Sequence, residues 1–292
     1  MAGPILVVSP HLDDAVLSLG ASIAGWARRD RARVVIASVY TAGPPLDEVA
    51  PAMRRFADYT LRCAEDDAAC AELGAEVRRL GQIERAFRRP YLTGWSFFST
   101  PPDRSGFTGL ASVTRALASL ADLDPSLVYV PLGIGNHIDH VETLLAATDW
   151  AIAAGWRHRL RFYEDFYALA GAMRAKHFVA RAHRWRHWQS PLLRARRLAV
   201  ILKTIGSRIS GPPVETLLDP ELRTGSWLVN VPPGADEAAQ LRALAHYASQ
   251  TRAFGGLAGI ARALRTYHRF WGGGEPVWRV RPPASVPSQV RE

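Results

Sequence analysis

The sequence predicts an α/β fold, with a Rossmann-like, mostly parallel sheet, helices on both faces and a less regular C-terminal part. Over residues 1–165, short apolar stretches alternate with stretches whose apolar residues recur at helical spacing. The short stretches are apolar throughout rather than at every second residue, which is typical of parallel strands buried on both faces. Strands that alternate with helices along the chain form a parallel sheet covered on both sides.

Each predicted element rests on a local pattern. Apolar, partly β-branched stretches predict strands at Ile5–Ser9, Val34–Tyr40, Glu76–Leu80, Leu127–Val130 and Arg159–Tyr163. Helical spacing between them predicts helices at Ala15–Arg29, Ala52–Leu73, Gly109–Ala121 and Val141–Ala154. Gly74 follows the second helix, as glycine commonly does at a helix C-terminus. In the C-terminal part, the patterns predict a strand at Trp227–Val231 and helices at Asp236–Gln250 and Gly256–Phe270.

Two segments lack such periodicity. Gly81–Phe107 is rich in proline, glycine and aromatic residues, and a loop of this length in a compact domain is usually functional. Its aromatic side chains would either stack on a sugar as part of a lid or pack onto the domain. Residues 181–197 interleave arginine with tryptophan, which indicates either a solvated helix face or a surface for anions.

Composition narrows the function classes. The 292 residues carry a net charge of +9. Lysine occurs only at Lys176 and Lys203, so nearly all basic residues are arginine. Such a bias reflects a general preference for arginine over lysine, and we do not take it as evidence for nucleic-acid binding. No nucleic-acid motif accompanies the charge, and we expect no nucleic-acid partner. We find no stretch apolar enough to span a bilayer and no secretory signal, so we expect a cytoplasmic protein with no transmembrane segment. We expect one domain over residues 1–282 and a tail over 283–292.

The strongest chemical signal is the segment Ser9–Asp14, directly after the first predicted strand. Its His11, Asp13 and Asp14 stand at the carboxyl end of a strand, where open α/β sheets bind ligands. Imidazole nitrogens and carboxylate oxygens suit Zn²⁺, and one further carboxylate can act as a general base. The alternative is that the two aspartates only cap the following helix.

A second cluster of histidine and aspartate lies in the segment Gly133–His140, after the Leu127–Val130 strand. Taken alone, His137 and His140 are also compatible with two surface histidines. Because both clusters end strands of one parallel sheet, together they predict a catalytic metal site with three protein ligands and a position open for water. No GxGxxG follows the first strand, which disfavours dinucleotide binding.

These paired motifs resemble those of the PIG-L / LmbE-like family of zinc-dependent N-deacetylases, which includes enzymes of mycothiol and bacillithiol biosynthesis. The family's His-Pro-Asp-Asp-Glu corresponds to His11–Ala15, and its His-x-Asp-His corresponds to His137–His140. Leu12 replaces the proline, and Ala15 replaces the glutamate, which removes a carboxylate but no expected ligand. Further similarity lies in Arg62–Gly74, Phe162–Phe166 and Tyr247–Gln250.

The resemblance implies a role for each motif residue. Zn²⁺ would be bound by His11, Asp14 and His140, and this donor set is also compatible with Fe²⁺. Asp13 would be the general base, although its exchange with Asp14 is an alternative that spacing leaves open. His137 would act as an electrophilic imidazolium or a general acid, and Asp139 would orient a histidine of the second motif.

Three further residues are weaker candidates. Arg62 would either point into the site or brace it, or form a solvated pair with Glu65. Glu164 and Asp165 end a predicted strand at the same edge of the sheet. They would either recognise substrate hydroxyls or make structural hydrogen bonds.

The resemblance implies a hydrolase that removes an N-acetyl group from a sugar-containing small molecule, using metal-activated water and an aspartate base. An amidase that removes a larger acyl group from a thiol conjugate or an antibiotic-type glycoside is the alternative within this chemistry. A non-catalytic binding protein on the same fold is the alternative from another class. The expected partner is therefore a small N-acetylated glycoside, and the sequence carries no signal for oligomeric state.

Overall fold

A computed structural model describes residues 3–51, 53–92, 94–166, 171–183, 211–252 and 255–281. Within these residues, one sheet of seven strands forms the centre of the molecule. In chain order, the strands are β1 (Ile5–Ser9), β2 (Val34–Ala42), β3 (Glu76–Ile83), β4 (Leu127–Pro131), β5 (Leu160–Tyr163), β6 (Ser226–Asn230) and β7 (Val277–Arg281). Their spatial order is β3-β2-β1-β4-β5-β7-β6.

The sheet is parallel from β3 to β5, and β7 and β6 extend it as antiparallel strands. β1 lies at its centre, where Ile5 pairs with Val34 on one side and with Leu127 on the other. The side chains of Leu6 and Val7 are fully buried, as an apolar central strand requires. The predicted α/β fold is therefore confirmed, and the antiparallel extension is its less regular C-terminal part.

Helices connect the strands. Those of the described chain are α1 (Asp14–Arg28), α2 (Arg54–Ala57), α3 (Tyr59–Leu73), α4 (Leu110–Ala118), α5 (Ile138–Ala153), α6 (Gly171–Arg174), α7 (Pro220–Thr224), α8 (Glu237–Ala245), α9 (Ala248–Thr251) and α10 (Gly256–Phe270). α1 packs against α3 and α8, whereas α4 packs against α5. The chain winds from β1 to β3 on one side and from β4 to β5 on the other, so the right-handed rule for parallel crossovers assigns these two groups of helices to opposite faces of the sheet. No described helix is long and apolar enough to cross a membrane.

The predicted helix Ala52–Leu73 is wrong as a single element. The helix is interrupted at Asp58, between α2 and α3. The Asp58 carboxylate accepts a hydrogen bond from the Leu61 amide at 3.0 Å and caps α3. This local bond offers the backbone an alternative to continuing the helix. The predicted helix Asp236–Gln250 likewise divides into α8 and α9, separated by His246 and Tyr247.

The aperiodic segment Gly81–Phe107 begins inside β3, which runs on to Ile83. It then forms three short 3₁₀ turns, at Arg85–Phe87, Gly94–Phe98 and Arg104–Gly106. Of the arginine- and tryptophan-rich stretch 181–197, only residues 181–183 belong to the described part of the chain. The expected tail, residues 283–292, lies outside the described residues.

Candidate metal centre

The two histidine-aspartate motifs meet because β1 and β4 are neighbouring parallel strands. The turn after β1 is fixed by Ser9, whose hydroxyl lies 2.6 Å from the His11 carbonyl oxygen and accepts a hydrogen bond from the Ala15 amide at 3.0 Å. The turn after β4 passes through left-handed backbone at Gly133 and Gly135 (φ 69° and 93°). Glycine adopts this conformation without steric cost, so the chain can reverse tightly into α5.

Three side-chain donors converge on one point between these turns. The Asp14 Oδ2 lies 3.0 Å from the His11 Nδ1 and 3.2 Å from the His140 Nε2. All three residues are buried or nearly buried. These are the three residues to which the family resemblance assigned metal binding, and the fold brings them together.

A carboxylate lies behind each histidine. The His11 Nε2 is 3.3 Å from the Asp139 Oδ2, and the His140 Nδ1 is 2.6 Å from the Asp165 Oδ1. Such a bond to the outer ring nitrogen fixes which nitrogen faces the site. Asp139 was expected to hold a histidine of its own motif, but it contacts His11 of the other motif. Successive residues of α5 point about 100° apart, so Asp139 and His140 approach the site from different sides.

The same carboxylates set the charge of the two histidines. Burial alone would lower the pKa of His140, but Asp14 and Asp165 outweigh burial and raise that pKa to about 9. Burial also opposes the charge of His11, and Glu84 together with the hydrogen bonds to Asp139 and Asp14 raises its pKa well above the usual value. The carboxylates thus favour positive charge at the point where the donors converge.

His137 lies beside this cluster. Its ring centroid is 5.4 Å from that of His11 and 5.2 Å from that of His140, and one nitrogen from each of the three histidines lies within 4.8 Å of the other two. Phe97 stacks on its ring at 6.3 Å and Phe98 meets it edge-on at 5.4 Å. Burial lowers the pKa of His137 to about 3. This environment favours a neutral ring over the imidazolium that the resemblance implied.

Asp13 directly precedes Asp14 in the chain. It occupies the N-cap position of α1, but its side chain makes no capping hydrogen bond, so helix capping does not account for it. It is 8% exposed and lines a narrow crevice with Leu17, Leu244 and Tyr247. Burial, reinforced by the charge of Asp14, raises the pKa of Asp13 to about 6. A buried carboxylate with this pKa is suited to proton transfer near neutral pH.

Arg62 forms a buried ion pair with Glu84 rather than the solvated pair with Glu65. Its side chain is buried, and its Nη1 donates to the Glu84 Oε1 at 2.6 Å and to the Phe56 carbonyl oxygen at 2.8 Å. Glu65 accepts hydrogen bonds from the Ser249 amide and hydroxyl at 2.8 and 2.6 Å. The similar segments Arg62–Gly74 and Tyr247–Gln250 are thus tied together beside Asp13.

Glu164 and Asp165 both serve the interior of the protein. Glu164 forms a fully buried ion pair with Arg174 and accepts a hydrogen bond from the Tyr267 hydroxyl at 2.9 Å. Asp165 holds His140 and accepts a hydrogen bond from the Ile134 amide at 2.8 Å. These contacts favour the structural interpretation of both residues over recognition of substrate hydroxyls.

The sequence did not indicate a group of polar residues behind Asp139. The Arg88 Nη2 donates to the Asp139 Oδ1 at 3.1 Å and to the Glu142 Oε2 at 2.8 Å. Glu142 also accepts hydrogen bonds from the Tyr40 hydroxyl at 2.6 Å and from the Gly109 amide at 2.7 Å. The spacing of Asp139 and Glu142 on one helix face was an available signal, whereas Arg88 lies in the aperiodic segment and had none.

Comparisons with known proteins bear on the fold and the family of this chain. Solved structures similar to the chain include the A40926 pseudoaglycone deacetylase (24% identity, TM-score 0.62, 98% of this chain and 100% of that chain). They also include a teicoplanin-pathway deacetylase complex (22%, 0.67, 97% and 100%) and the zinc-inhibited form of teicoplanin deacetylase (22%, 0.64, 97% and 100%). No curated protein matches the sequence. A family model described as GlcNAc-PI de-N-acetylase matches residues 6–151, half of the chain, and spans both motifs, so the chain belongs to the PIG-L family.

Proposed function

We propose that this protein is a metal-dependent hydrolase that removes the N-acetyl group from an N-acetylated amino sugar within a small molecule. The observation that carries the proposal is the convergence of Asp14, His11 and His140. The Asp14 Oδ2 lies 3.0 Å from the His11 Nδ1 and 3.2 Å from the His140 Nε2. A carboxylate contacts the other ring nitrogen of each histidine.

The donor set fits a small divalent cation. Ligands about 2.0–2.1 Å from a tetrahedral metal lie roughly 3.3–3.4 Å from one another, which is close to the separations around the Asp14 Oδ2. Two imidazoles and one carboxylate suit Zn²⁺ and Fe²⁺. A bound cation of this kind polarises a carbonyl group and lowers the pKa of water to about 7. His11, Asp14 and His140 would hold it.

In this proposal, Asp13 moves the proton. It lies next to a ligand in the chain but outside the ligand cluster, and its pKa is raised to about 6. Its carboxylate would accept a proton from the attacking water as the new C–O bond forms. It would then donate that proton to the amide nitrogen as the C–N bond breaks. The products are acetate and a free amine.

His137 would act on the carbonyl oxygen. Its ring lies within 5.4 Å of both ligand histidines, on the same side as Phe97 and Phe98. A neutral imidazole can donate one hydrogen bond to the charge that develops on this oxygen. One such donor contributes about 3–4 kcal/mol in comparable sites. The two phenylalanines give this side an apolar wall suited to a methyl group or a sugar face.

The similar structures guide the choice of substrates. One is described as the deacetylase of the antimicrobial A40926 pseudoaglycone and another as a deacetylase of the teicoplanin biosynthesis pathway. The matched family model is described by a GlcNAc-bearing substrate. We therefore propose an N-acetylated glycoside and test both kinds. A further similar structure is described as zinc-inhibited. The activating metal is therefore sought by testing Zn²⁺, Fe²⁺ and Co²⁺ in parallel.

The test measures acetate release from N-acetylglucosaminides and N-acetylated glycopeptides after each metal is loaded in turn. We expect release from at least one substrate, and we expect Asp13→Asn to lower the rate at least about 10²-fold while it still binds metal. The Glu48→Gln variant, which changes an exposed carboxylate, controls for loss of charge. Release by Asp13→Asn at the normal rate would refute the proposed base. Activity only on longer N-acyl groups would instead indicate the larger-acyl amidase.

A further inference from the structure

A polar cleft that shares no lining residue with the metal centre lies on the antiparallel part of the sheet. Tyr163 and Phe162 of β5 pair with Val277 and Trp278 of β7, and continuing this antiparallel register sets Arg161 opposite Arg279, whose charge acts on it. Tyr129 of β4 pairs with Arg161 on one side, and Leu228 of β6 pairs with Arg279 on the other. Side chains at paired positions of neighbouring strands share a face of the sheet. The two arginines therefore stand side by side on one face.

No carboxylate of the described residues neutralises this pair of charges. The neighbouring Arg157 and Arg159 each pair with an aspartate, Asp219 and Asp124 respectively. Arg161 and Arg279 form no ion pair in the described chain, and the Arg161 Nη1 donates only to the carbonyl oxygens of residues 158 and 160, at 3.1 and 2.7 Å. Like charges directly opposite each other destabilise an antiparallel pair. An anion between them would remove that repulsion.

The cleft has room for more than a simple ion. A cavity of about 420 Å³ is lined by Tyr129, Arg161, Arg279, the end of β6 with Asn230, and Pro232 just after it. This volume lies within the range of small-molecule sites, about 300–1,000 Å³. Burial raises the pKa of Tyr129 to about 12, so its hydroxyl is a hydrogen-bond donor at neutral pH. Two arginines and one tyrosine thus line one space.

We propose that this cleft binds the phosphate group of a phosphorylated small molecule. A phosphate dianion matches the two positive charges, whereas a single carboxylate would match only one. Guanidinium groups bind phosphate oxygens through paired N–H donors, which favours a planar fork on each side of the anion. The rest of the ligand would occupy the space beside Asn230 and Pro232. This site is separate from the proposed deacetylase centre and does not depend on it.

The test is a calorimetric titration of the whole protein with inorganic phosphate and with glucose 6-phosphate, at constant ionic strength set by sodium chloride. We expect saturable binding of at least the sugar phosphate. Arg161→Gln and Arg279→Gln should each weaken it about tenfold or more, since each removes one charge-assisted contact. Arg115→Gln, which removes an exposed charge on α4, is the matched control and should bind normally.

Thermal unfolding separates this effect from a folding defect. Without phosphate, Arg279→Gln should unfold at the same temperature as the parent protein or higher, because the substitution relieves a like-charge pair. The phosphate ligand should raise the unfolding temperature of the parent and of Arg115→Gln, but not of the two cleft variants. Equal binding by the parent and the three variants would overturn the proposal. So would the absence of saturable binding of either phosphate compound up to about 10 mM, a limit that corresponds to about −2.7 kcal/mol of binding free energy.

Discussion

Glu142 offers a sharp test of how the protein supports the metal centre from behind. The residue is 1% exposed, and its two carboxylate oxygens accept three hydrogen bonds. Two donors, the Tyr40 hydroxyl and the Arg88 guanidinium, reach the Oε2, and the Gly109 amide reaches the Oε1. In Glu142→Gln, one oxygen becomes an NH₂ group, so at least one of these donors faces another donor whichever way the amide turns.

The magnitude follows from these contacts. Leaving a buried donor without an acceptor costs about 1–3 kcal/mol, and Arg88 also loses the charge of its partner, so we expect Glu142→Gln to lower the free energy of unfolding by about 3 kcal/mol. Because Arg88 also holds Asp139 behind His11, metal affinity should fall about tenfold. The loss of stability and the loss of metal affinity should thus both follow from a change at Glu142, a buried residue whose hydrogen bonds go to Tyr40, Arg88 and Gly109.

Two assays check this prediction. Urea unfolding of the metal-free protein gives the free energy of unfolding, and competition with a chelator gives the metal affinity. Glu48→Gln, at an exposed carboxylate, should change stability by less than about 0.5 kcal/mol. If Glu142→Gln matched this control in both assays, the reasoning about the Arg88–Glu142 contacts would be refuted.

Three further predictions follow from single contacts. Asp165→Asn should weaken metal binding about 10–100-fold in the chelator assay, since Asp165 orients His140, and unchanged affinity would contradict that role. Asp58→Ala should lower the free energy of unfolding by about 1 kcal/mol through loss of the α3 cap, with Asp58→Asn as a milder control. Burial lowers the pKa of His177 to about 3, against about 6.5 in the unfolded chain. Between pH 6 and pH 4 only the unfolded chain therefore takes up this proton, and the free energy of unfolding should fall by about 1.4 kcal/mol for each unit by which the pH falls. His177→Gln should lack that part of the pH dependence in urea unfolding, and identical slopes would contradict it.

Much of this fold could be predicted because its parallel strands are marked locally. Ile5–Ser9 is continuously apolar, and the structure places a strand over the same residues. The break at Asp58 escaped prediction because the surrounding sequence keeps a helical pattern, and one side-chain hydrogen bond decides against it. A local bond of this kind changes the element without changing the apolar spacing.

The site divides in the same way. The meeting of the two motifs could be predicted, because parallel neighbouring strands end at one edge of a sheet. Which carboxylate stands behind which histidine could not, because Asp139 and His11 are 128 residues apart and their contact depends on how α5 is oriented. The Arg88–Glu142 ion pair also depends on where the aperiodic segment packs. Such pairings follow from tertiary packing and leave no periodic trace in the sequence.

Metal stoichiometry tests the central claim most directly. Metal content per chain would be measured by elemental analysis after loading and dialysis, for the parent protein, Asp13→Asn, Asp14→Asn and His140→Gln. We expect one tightly bound metal in the parent and in Asp13→Asn, and loss of that metal in the other two variants, each of which removes a proposed ligand. Metal retained by Asp14→Asn but lost from Asp13→Asn would exchange the roles of the two aspartates. A parent protein that binds no metal would contradict the metal centre itself.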